Sequence, residues 1–353
     1  MQVVRLVARG PYRAKLLDYS MRALFLVQVV VCLHARPVDI IYIRDPSLLY
    51  LLRRLPSVLR PKSWLIYEAH KIYHRVSTRV RSAHGELSVI GLADRVVAVS
   101  PGVEGGLLRL GVDPQKLEVI PLGVKLPAYQ RPVDVEAIRG DLGLDARAVV
   151  VTYAGSWDEW KGVDDLIRAF ARLPRSRGEC VLALLGADEA AFKRAQRLLD
   201  ELKILPGHYI LCGHMARATL IDFLLASDIG VLPNRDTLLS GLYTSPLKAF
   251  EYLAAGLSIV AADLPALRAV LSEAEALFYE PADVDELAKK LQMLINSQSL
   301  RERCRRAALH LAPLYDYGRR AARIEKIYHE LAKPRESRDS LSRQNPVTKV
   351  EDL

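Results

Sequence analysis

Cysteine is scarce in this chain: four residues in 353, Cys32, Cys180, Cys212 and Cys304, widely spaced. There is no CxxC and no histidine beside a cysteine pair, so neither a disulfide framework nor a zinc site organises the fold, and no metal is expected. A reducing cytoplasm suits such a composition. Long apolar runs are missing as well. The stretch Ala23–Leu33 is far shorter than the roughly 20 residues that cross a bilayer, which predicts a buried helix instead. The chain opens without a charged leader and small-residue cleavage site, so no secretory signal is read there. Aromatic residues make up only 7% of the chain and do not interleave with basic ones, which argues against a nucleic-acid partner.

Acidic residues are scarce in one region. Residues 1–110 hold 17 lysines and arginines against 7 aspartates and glutamates, an excess of ten in a chain whose net charge is +9. The remainder is close to neutral. The basic part suits an anionic partner such as a membrane surface, a lipid phosphate or an acidic glycan; solvated surface charge is the plain alternative.

Half of the residues are hydrophobic and 26% are charged, enough for two ordinary domains with separate cores. Short β-branched runs alternate with longer amphipathic stretches, the pattern of βα units in parallel sheets. A first series of strands is predicted at Asp39–Ile43, Trp64–Tyr67, Arg95–Val99 and Glu118–Ile120. The segment Pro121-Leu122-Gly123-Val124-Lys125-Leu126-Pro127 breaks the pattern. A second series follows at Val149–Ala154, Val181–Leu185, Tyr209–Cys212, Ile229–Leu232, Ser258–Ala261 and Leu277–Tyr279. The expected layout is an α/β protein with doubly wound domains over residues 1–125 and 126–312, a helix over 313–332 returning toward the first domain, and a polar, disordered tail over 333–353.

Ligands of open parallel sheets bind beyond the carboxyl ends of strands, where helix N-termini offer N–H groups to phosphate. Two segments fit. In Tyr153-Ala154-Gly155-Ser156-Trp157-Asp158-Glu159-Trp160-Lys161-Gly162, Gly155 permits close backbone approach and Lys161 supplies a compact positive charge before a helix starting near Val163. Alone, it reads equally as a loop glycine with a solvated lysine. In Thr244-Ser245-Pro246-Leu247-Lys248-Ala249-Phe250-Glu251, Ser245 is predicted to cap a helix whose first residue is Pro246. Glu251, less than two turns inside, suits the two hydroxyls of a ribose; a helix-dipole glutamate or a salt bridge is the alternative.

The segment Thr244–Gly256, followed by Ser258–Pro265, resembles the donor-site signature of family 4 retaining glycosyltransferases, also called glycosyl transferases group 1. Lys161-Gly162 and Ala226–Pro233 match that family in the expected order, so the resemblance spans roughly residues 90–330. It implies a GT-B fold, two Rossmann-like domains facing a cleft, and metal-independent transfer from a nucleoside-diphosphate sugar with retention and no cofactor. It further implies that Glu251 holds the ribose and Lys161 the diphosphate. The turn at Thr244-Ser245, with Leu247 and Lys248, would face phosphate, Gly155 and Ser156 would line the donor, and Gly213 and His214 would meet the base. Tyr67-Glu68-Ala69-His70 resembles a family segment whose histidine approaches the reacting sugar, which makes His70 the catalytic candidate beside Lys161 and Glu251, with Glu68 and Arg75 on the acceptor side. A satisfied loop histidine is the bland alternative.

Three departures stand out. Tyr243 occupies the position, eight before Glu251, where the family commonly has another glutamate. Ser156 stands where an arginine often follows the glycine, leaving Lys161 or Lys248 to meet the diphosphate. The family's opening strand and Gly-rich loop are not recognisable, so the first domain is expected to be short by one or two βα units. The acceptor implied is a glycan or lipid-linked saccharide of cell-surface polysaccharide or lipopolysaccharide synthesis, met by the basic domain at the inner face of the membrane. A non-catalytic sugar-nucleotide-binding subunit is the rival, and an epimerase on the same fold is disfavoured by the Lys161-Gly162 and Ser245-to-Glu251 segments.

Overall fold

The structure, a computed structural model, describes residues 3–6, 27–33, 35, 38–73, 83–174 and 180–332. The expected tail over 333–353 and three arginines of the basic region, Arg75, Arg79 and Arg81, lie outside the described residues. Packing divides the chain into two compact units. The smaller comprises the described parts of Met1–Tyr67, Val89–Arg95 and Ala322–Leu353, and the larger those of Glu68–Ser88 and Val96–Ala321.

Eleven strands among the described residues form two sheets. The first has the order β1 (Val3–Leu6), β2 (Ile40–Ile43), β3 (Trp64–Ala69), β4 (Arg95–Ala98), β5 (Leu117–Val119), with β1–β2, β2–β3 and β4–β5 parallel. The edge strand β1 was not among the predicted strands. In the smaller unit, helix α1 (residues 27–33) buries Val29 and Leu33 but leaves Val27 and Val31 57% and 60% exposed, so only one face is covered and the expectation of a buried helix is corrected. Helix α2 (Pro46–Arg54) starts where it should: Asp45 accepts from the N–H of Ser47 at 2.7 Å, and Pro46, lacking an N–H, takes the first turn. Its Arg53 reaches Asp94 at 2.7 Å, and that carboxylate also accepts from Leu65 N at 2.8 Å.

Helices α3 (Ala83–Ile90) and α4 (Pro101–Arg109) belong to the first half of the chain, and α5 (Val135–Asp141) leads into the second sheet. That sheet has the order β11-β10-β9-β6-β7-β8, with β6 (Val149–Ala154), β7 (Cys180–Ala187), β8 (Tyr209–Gly213), β9 (Ile229–Leu232), β10 (Ser258–Ala262) and β11 (Ala276–Tyr279) all parallel. Every residue of β6, β9 and β10 is buried, as expected of central strands covered on both faces. Numbered within this sheet, the order is that of a Rossmann domain, and the direction of winding reverses between β6 and β9. Among the described strands of the first sheet no such reversal occurs, so the crevice that this topology reserves for a ligand lies at the carboxyl ends of β6 and β9.

Helices α6 (Val163–Ala171), α7 (Glu189–Glu201), α8 (Arg217–Leu225), α9 (Leu247–Ala255), α10 (Pro265–Arg268), α11 (Val284–Asn296), α12 (Gln298–Leu311) and α13 (Tyr317–Ala332) complete the chain. Helix α9 is buried from Ala249 to Ala255 and packs Phe250 against Tyr315 with ring centroids 4.5 Å apart. Helix α6 is fixed at the switch point by a buried aspartate, Asp165, gripped in bidentate fashion by Arg235 at 2.8 and 2.9 Å.

Gly162 makes the turn into α6 with φ +64°, and a Cβ there would lie 1.9 Å from the carbonyl oxygen of Pro233, just past β9. Gly162→Ala is therefore expected to destabilise by about 2–4 kcal/mol, read as a lower midpoint in urea unfolding. Gly140→Ala, in α5 with nothing within 4 Å of the added carbon, should leave the midpoint unchanged or raise it.

Candidate functional site

Strand β6 ends at Ala154, just before Gly155, at the switch point, and two glycines allow close packing there. A Cβ on Gly186 would lie 2.6 Å from the carbonyl oxygen of Gly155, and one on Gly155 would lie 3.1 Å from the Tyr153 hydroxyl and 3.6 Å from Cε of Lys248. Tyr153 donates its hydroxyl to the carbonyl of Ser156, and Ser156 donates its own to Asp158 at 2.7 Å, so Ser156 is engaged within the loop. Lys161 closes a short 3₁₀ turn, Glu159–Lys161, with its ammonium 3.8 Å from the centre of the Trp160 ring.

The start of α9 differs from expectation. Ser245 does not cap it. The helix begins at Leu247 with Pro246 in the cap position, and the buried Ser245 hydroxyl instead accepts from the N–H of Leu122 at 3.1 Å. The identical dipeptide Ser100-Pro101 behaves as the sequence rule predicts, Ser100 accepting from Val103 N at 3.3 Å to cap α4. The difference is one of competition: the N–H of Leu122 takes the oxygen that the helix would have used. Thr244 likewise turns its hydroxyl to the carbonyl of Leu239 at 2.9 Å, and Leu247 is 43% exposed in the first turn.

Glu251 is 5% exposed, and each of its carboxylate oxygens meets a cation. Oε2 accepts from Lys248 Nζ at 2.7 Å; Oε1 accepts from Nη1 of Arg217, at the start of α8. Arg217 also approaches the Tyr129 hydroxyl at 3.5 Å. Tyr252, next to Glu251, anchors α9 to the site by accepting from Ala154 N at 3.0 Å. Lys248 thus lies between Glu251 and the Gly155 backbone. Its charge also reaches Lys161: burial lowers the pKa of the Lys161 ammonium to about 8, with Asp158 opposing the shift and Lys248 adding to it. Lys248 thus touches Glu251 directly and acts on Lys161 through its charge.

Of the remaining candidates, Gly213 closes β8 and His214 follows it, exposed. Glu68, at the end of β3, is 2% exposed and holds His70 Nε2 at 2.6 Å and Arg320 Nη2 at 2.6 Å. Arg75, expected on the acceptor side, falls outside the described residues. Tyr243 is fully buried, with its ring against Gly106 and its hydroxyl without a hydrogen-bond partner among the described residues. Sequence reasoning missed Arg217, Tyr129 and Arg320. Arg320 is 252 positions from Glu68, and Arg217 stands in an ordinary helix start, so no local spacing marks either. A polar cavity of about 270 Å³ adjoins the Lys161 loop, lined by Asp158, Glu159, Gly162, Asp164, Arg194 and Arg235 among others, and is separate from the groups around Glu251.

Two parallel sheets, one wound in Rossmann order with charged groups gathered at its switch point, define an α/β protein of the GT-B class. The chain belongs to the glycosyl transferases group 1 family, whose description matches residues 134–310, while residues 2–126 match that of glycosyltransferase family 4. Among curated proteins it is similar to a D-inositol 3-phosphate glycosyltransferase of Rhodococcus jostii (strain RHA1), 30% identical over 226 residues, covering 60% of this chain and 47% of that protein. The protein of the same description from Thermobifida fusca (strain YX) is 27% identical over 237 residues, 65% of this chain and 53% of the relative. The chain thus spans about half the length of the curated relatives it matches. Among solved structures, sucrose-phosphate synthase from Thermosynechococcus elongatus superposes with a TM-score of 0.75 at 21% identity, covering 91% of this chain and 81% of that one. HepE of Anabaena in complex with UDP-glucose does so with a TM-score of 0.72 at 20% identity, covering 93% and 91%. These likenesses carry the fold.

The lowered Lys161 pKa gives the site a measurable pH dependence. An amine with a depressed pKa keeps its charge below that value and loses it above, here at about 8. Raising the pH from about 7 to about 9 should therefore weaken the attraction of Lys161 for an added anion such as pyrophosphate by about tenfold. At the midpoint, binding should take up protons, seen by calorimetry in buffers of different ionisation enthalpy, and Lys161→Met should flatten both effects.

Proposed function

We propose that the protein is a glycosyltransferase that moves a sugar from a nucleoside-diphosphate sugar to a glycan or lipid-linked acceptor, with retention and without a metal, in the synthesis of a cell-surface polysaccharide or lipopolysaccharide. The observation that carries this reading is the buried Glu251 carboxylate in α9, held by Lys248 and Arg217 beside the Gly155 backbone and Lys161. A carboxylate suits the paired hydroxyls of a ribose, and the two lysines supply the positive charge that a diphosphate requires. Family membership, relatives described as D-inositol 3-phosphate glycosyltransferases, and a structural neighbour solved with UDP-glucose support the same donor class.

In this reading the chemistry is electrostatic. As the bond from the anomeric carbon to the diphosphate breaks, negative charge grows on the leaving phosphate oxygen. Lys161, Lys248 and the first-turn N–H groups of α9 stabilise it in place, with little reorganisation. Gly213 and His214 would border the base, and Thr244, Ser245 and Leu247 the phosphates, through backbone. His70 would stand at the reacting sugar, with Glu68 behind it and Arg75 toward the acceptor.

The surface of the smaller unit supports an acceptor carried on an anionic membrane. Tyr50, Leu51, Val58 and Leu59 are exposed there, Val58 by 80%, and Arg54, Arg60 and Lys62 on the same stretch are exposed with them. Exposed apolar groups interspersed along the chain with exposed cations suit a headgroup layer. No helix among the described residues is long and apolar enough to cross a membrane.

One observation favours a second reading, a subunit that binds a sugar nucleotide without turning it over: the fully buried Tyr243 replaces a family carboxylate. The two readings separate on incubation with a panel of UDP-, GDP- and ADP-sugars, scored for nucleotide release with and without membrane extract. Release that depends on the extract supports the transferase; binding without release supports the second reading. Glu251→Ala should weaken nucleotide binding at least about tenfold by calorimetry while circular dichroism stays unchanged. Normal affinity in that variant would remove the donor site from this location.

A further inference from the structure

His70 is not a lone loop histidine. Its Nε2 lies 2.6 Å from Oε1 of Glu68, two residues earlier at the end of β3, and the other oxygen of that carboxylate accepts from Nη2 of Arg320 at 2.6 Å. The pair is deeply placed: Glu68 is 2% exposed, and the Arg320 side chain 14%. Arg320 has a second task, donating Nε to the carbonyl of Pro121 at 3.0 Å. The next residue, Leu122, donates its N–H to Ser245, immediately before α9 with its Lys248 and Glu251. A continuous run of hydrogen bonds and two short chain segments thus joins the histidine to the donor-side helix.

We infer that Glu68 and Arg320 are positioning residues for His70, fixing its ring orientation and tautomer and tying it to the segment that holds α9. The inference rests on the transferase reading above for its catalytic consequence, though not for its structural one. A carboxylate only accepts hydrogen bonds, so His70 carries a proton on Nε2 and presents Nδ1 away from Glu68. Arg320, through its planar fork, spans the carboxylate and the Pro121 carbonyl at once, which a single ammonium does with poorer geometry. None of this requires Glu68 or Arg320 to touch a substrate.

The test uses the full chain with Arg320→Gln, Arg320→Lys and Glu68→Gln. Two-bond proton–nitrogen correlations of the imidazoles, with His70 assigned by its loss in His70→Asn, should show a single Nε2-protonated tautomer in the unaltered protein. Glu68→Gln should give a mixture, because an amide both donates and accepts. With the donor that supports turnover, Arg320→Gln should lower kcat by about 10- to 100-fold while KM and the calorimetric Kd for the nucleoside diphosphate stay within about twofold, and Arg320→Lys should recover part of the loss. Glu68→Gln, nearly isosteric, carries the test if Arg320→Gln fails to fold. A single unchanged tautomer in Glu68→Gln, or a fall in kcat matched by an equal loss of nucleotide affinity, overturns the inference. If the unaltered protein turns over no donor, the transferase reading fails, and the tautomer measurement still decides the positioning role.

Discussion

A carboxylate buried to 5% exposure must be matched by positive charge, and the surroundings of Glu251 follow from that requirement. Desolvating an ion costs several kcal/mol, recovered only if partners sit at hydrogen-bond distance with good geometry. Lys248 meets one oxygen from the same helix, Arg217 meets the other from α8, and the first turn of α9 adds its partial positive charge. The same arrangement leaves an excess of positive charge near Gly155, because Lys161 lies within the field of Lys248 with only Asp158 to oppose it. Burial and that excess together press Lys161 toward its neutral form. In the proposed reading, a diphosphate between the two lysines would relieve that pressure.

The second sheet was legible in the sequence because its central strands are almost wholly apolar. Val149–Ala154 and Ser258–Ala261 carry only Thr152 and Ser258 as polar residues, and both are buried with hydrogen-bond partners. Strand β1 was not legible, since four residues at a sheet edge carry too little pattern. The two Ser-Pro dipeptides show where local rules stop. Ser100 caps α4, whereas Ser245 in the same local context serves Leu122, a partner 123 residues away. Glu251, Lys161 and His70 could be nominated from their segments, while Arg217 and Arg320 could not, because an arginine that reaches a distant carboxylate has no required neighbours in sequence.

Tyr243 is one of the places where this chain departs from the pattern of its family. A tyrosine cannot replace a carboxylate as an acceptor for sugar hydroxyls, and this one is turned into packing, with Gly106 and Ile72 crowded around the same spot. A Cβ on Gly106 would come within 2.5 Å of the Ile72 side chain, so the close approach of α4 depends on that glycine. The buried hydroxyl has no partner among the described residues, a cost of about 1–3 kcal/mol that aromatic packing has to offset. In the proposed reading, recognition of the donor sugar falls to groups other than the residue at position 243, apart from the nucleotide assigned to Glu251.

The segment between the two sheets is no slack tether. Val124 bridges Asp316, with its N–H on the carbonyl of Tyr315 at 2.9 Å, and Asp316 in turn accepts from Leu126 N at 3.1 Å. Gly123 passes so close to Tyr315 that a Cβ would lie 2.3 Å from its carbonyl oxygen. With Pro121 held by Arg320 and Leu122 by Ser245, nearly every residue from 121 to 126 has a fixed partner. Each of these bonds contributes only about 1 kcal/mol, and because they share one short stretch of backbone their effects are expected to couple. In the proposed reading, α9 is linked through the Leu122 bond, Pro121 and Arg320 to the carboxylate that meets His70. The path needs no flexible intermediate, because every step in it is a hydrogen bond or a covalent link already in place.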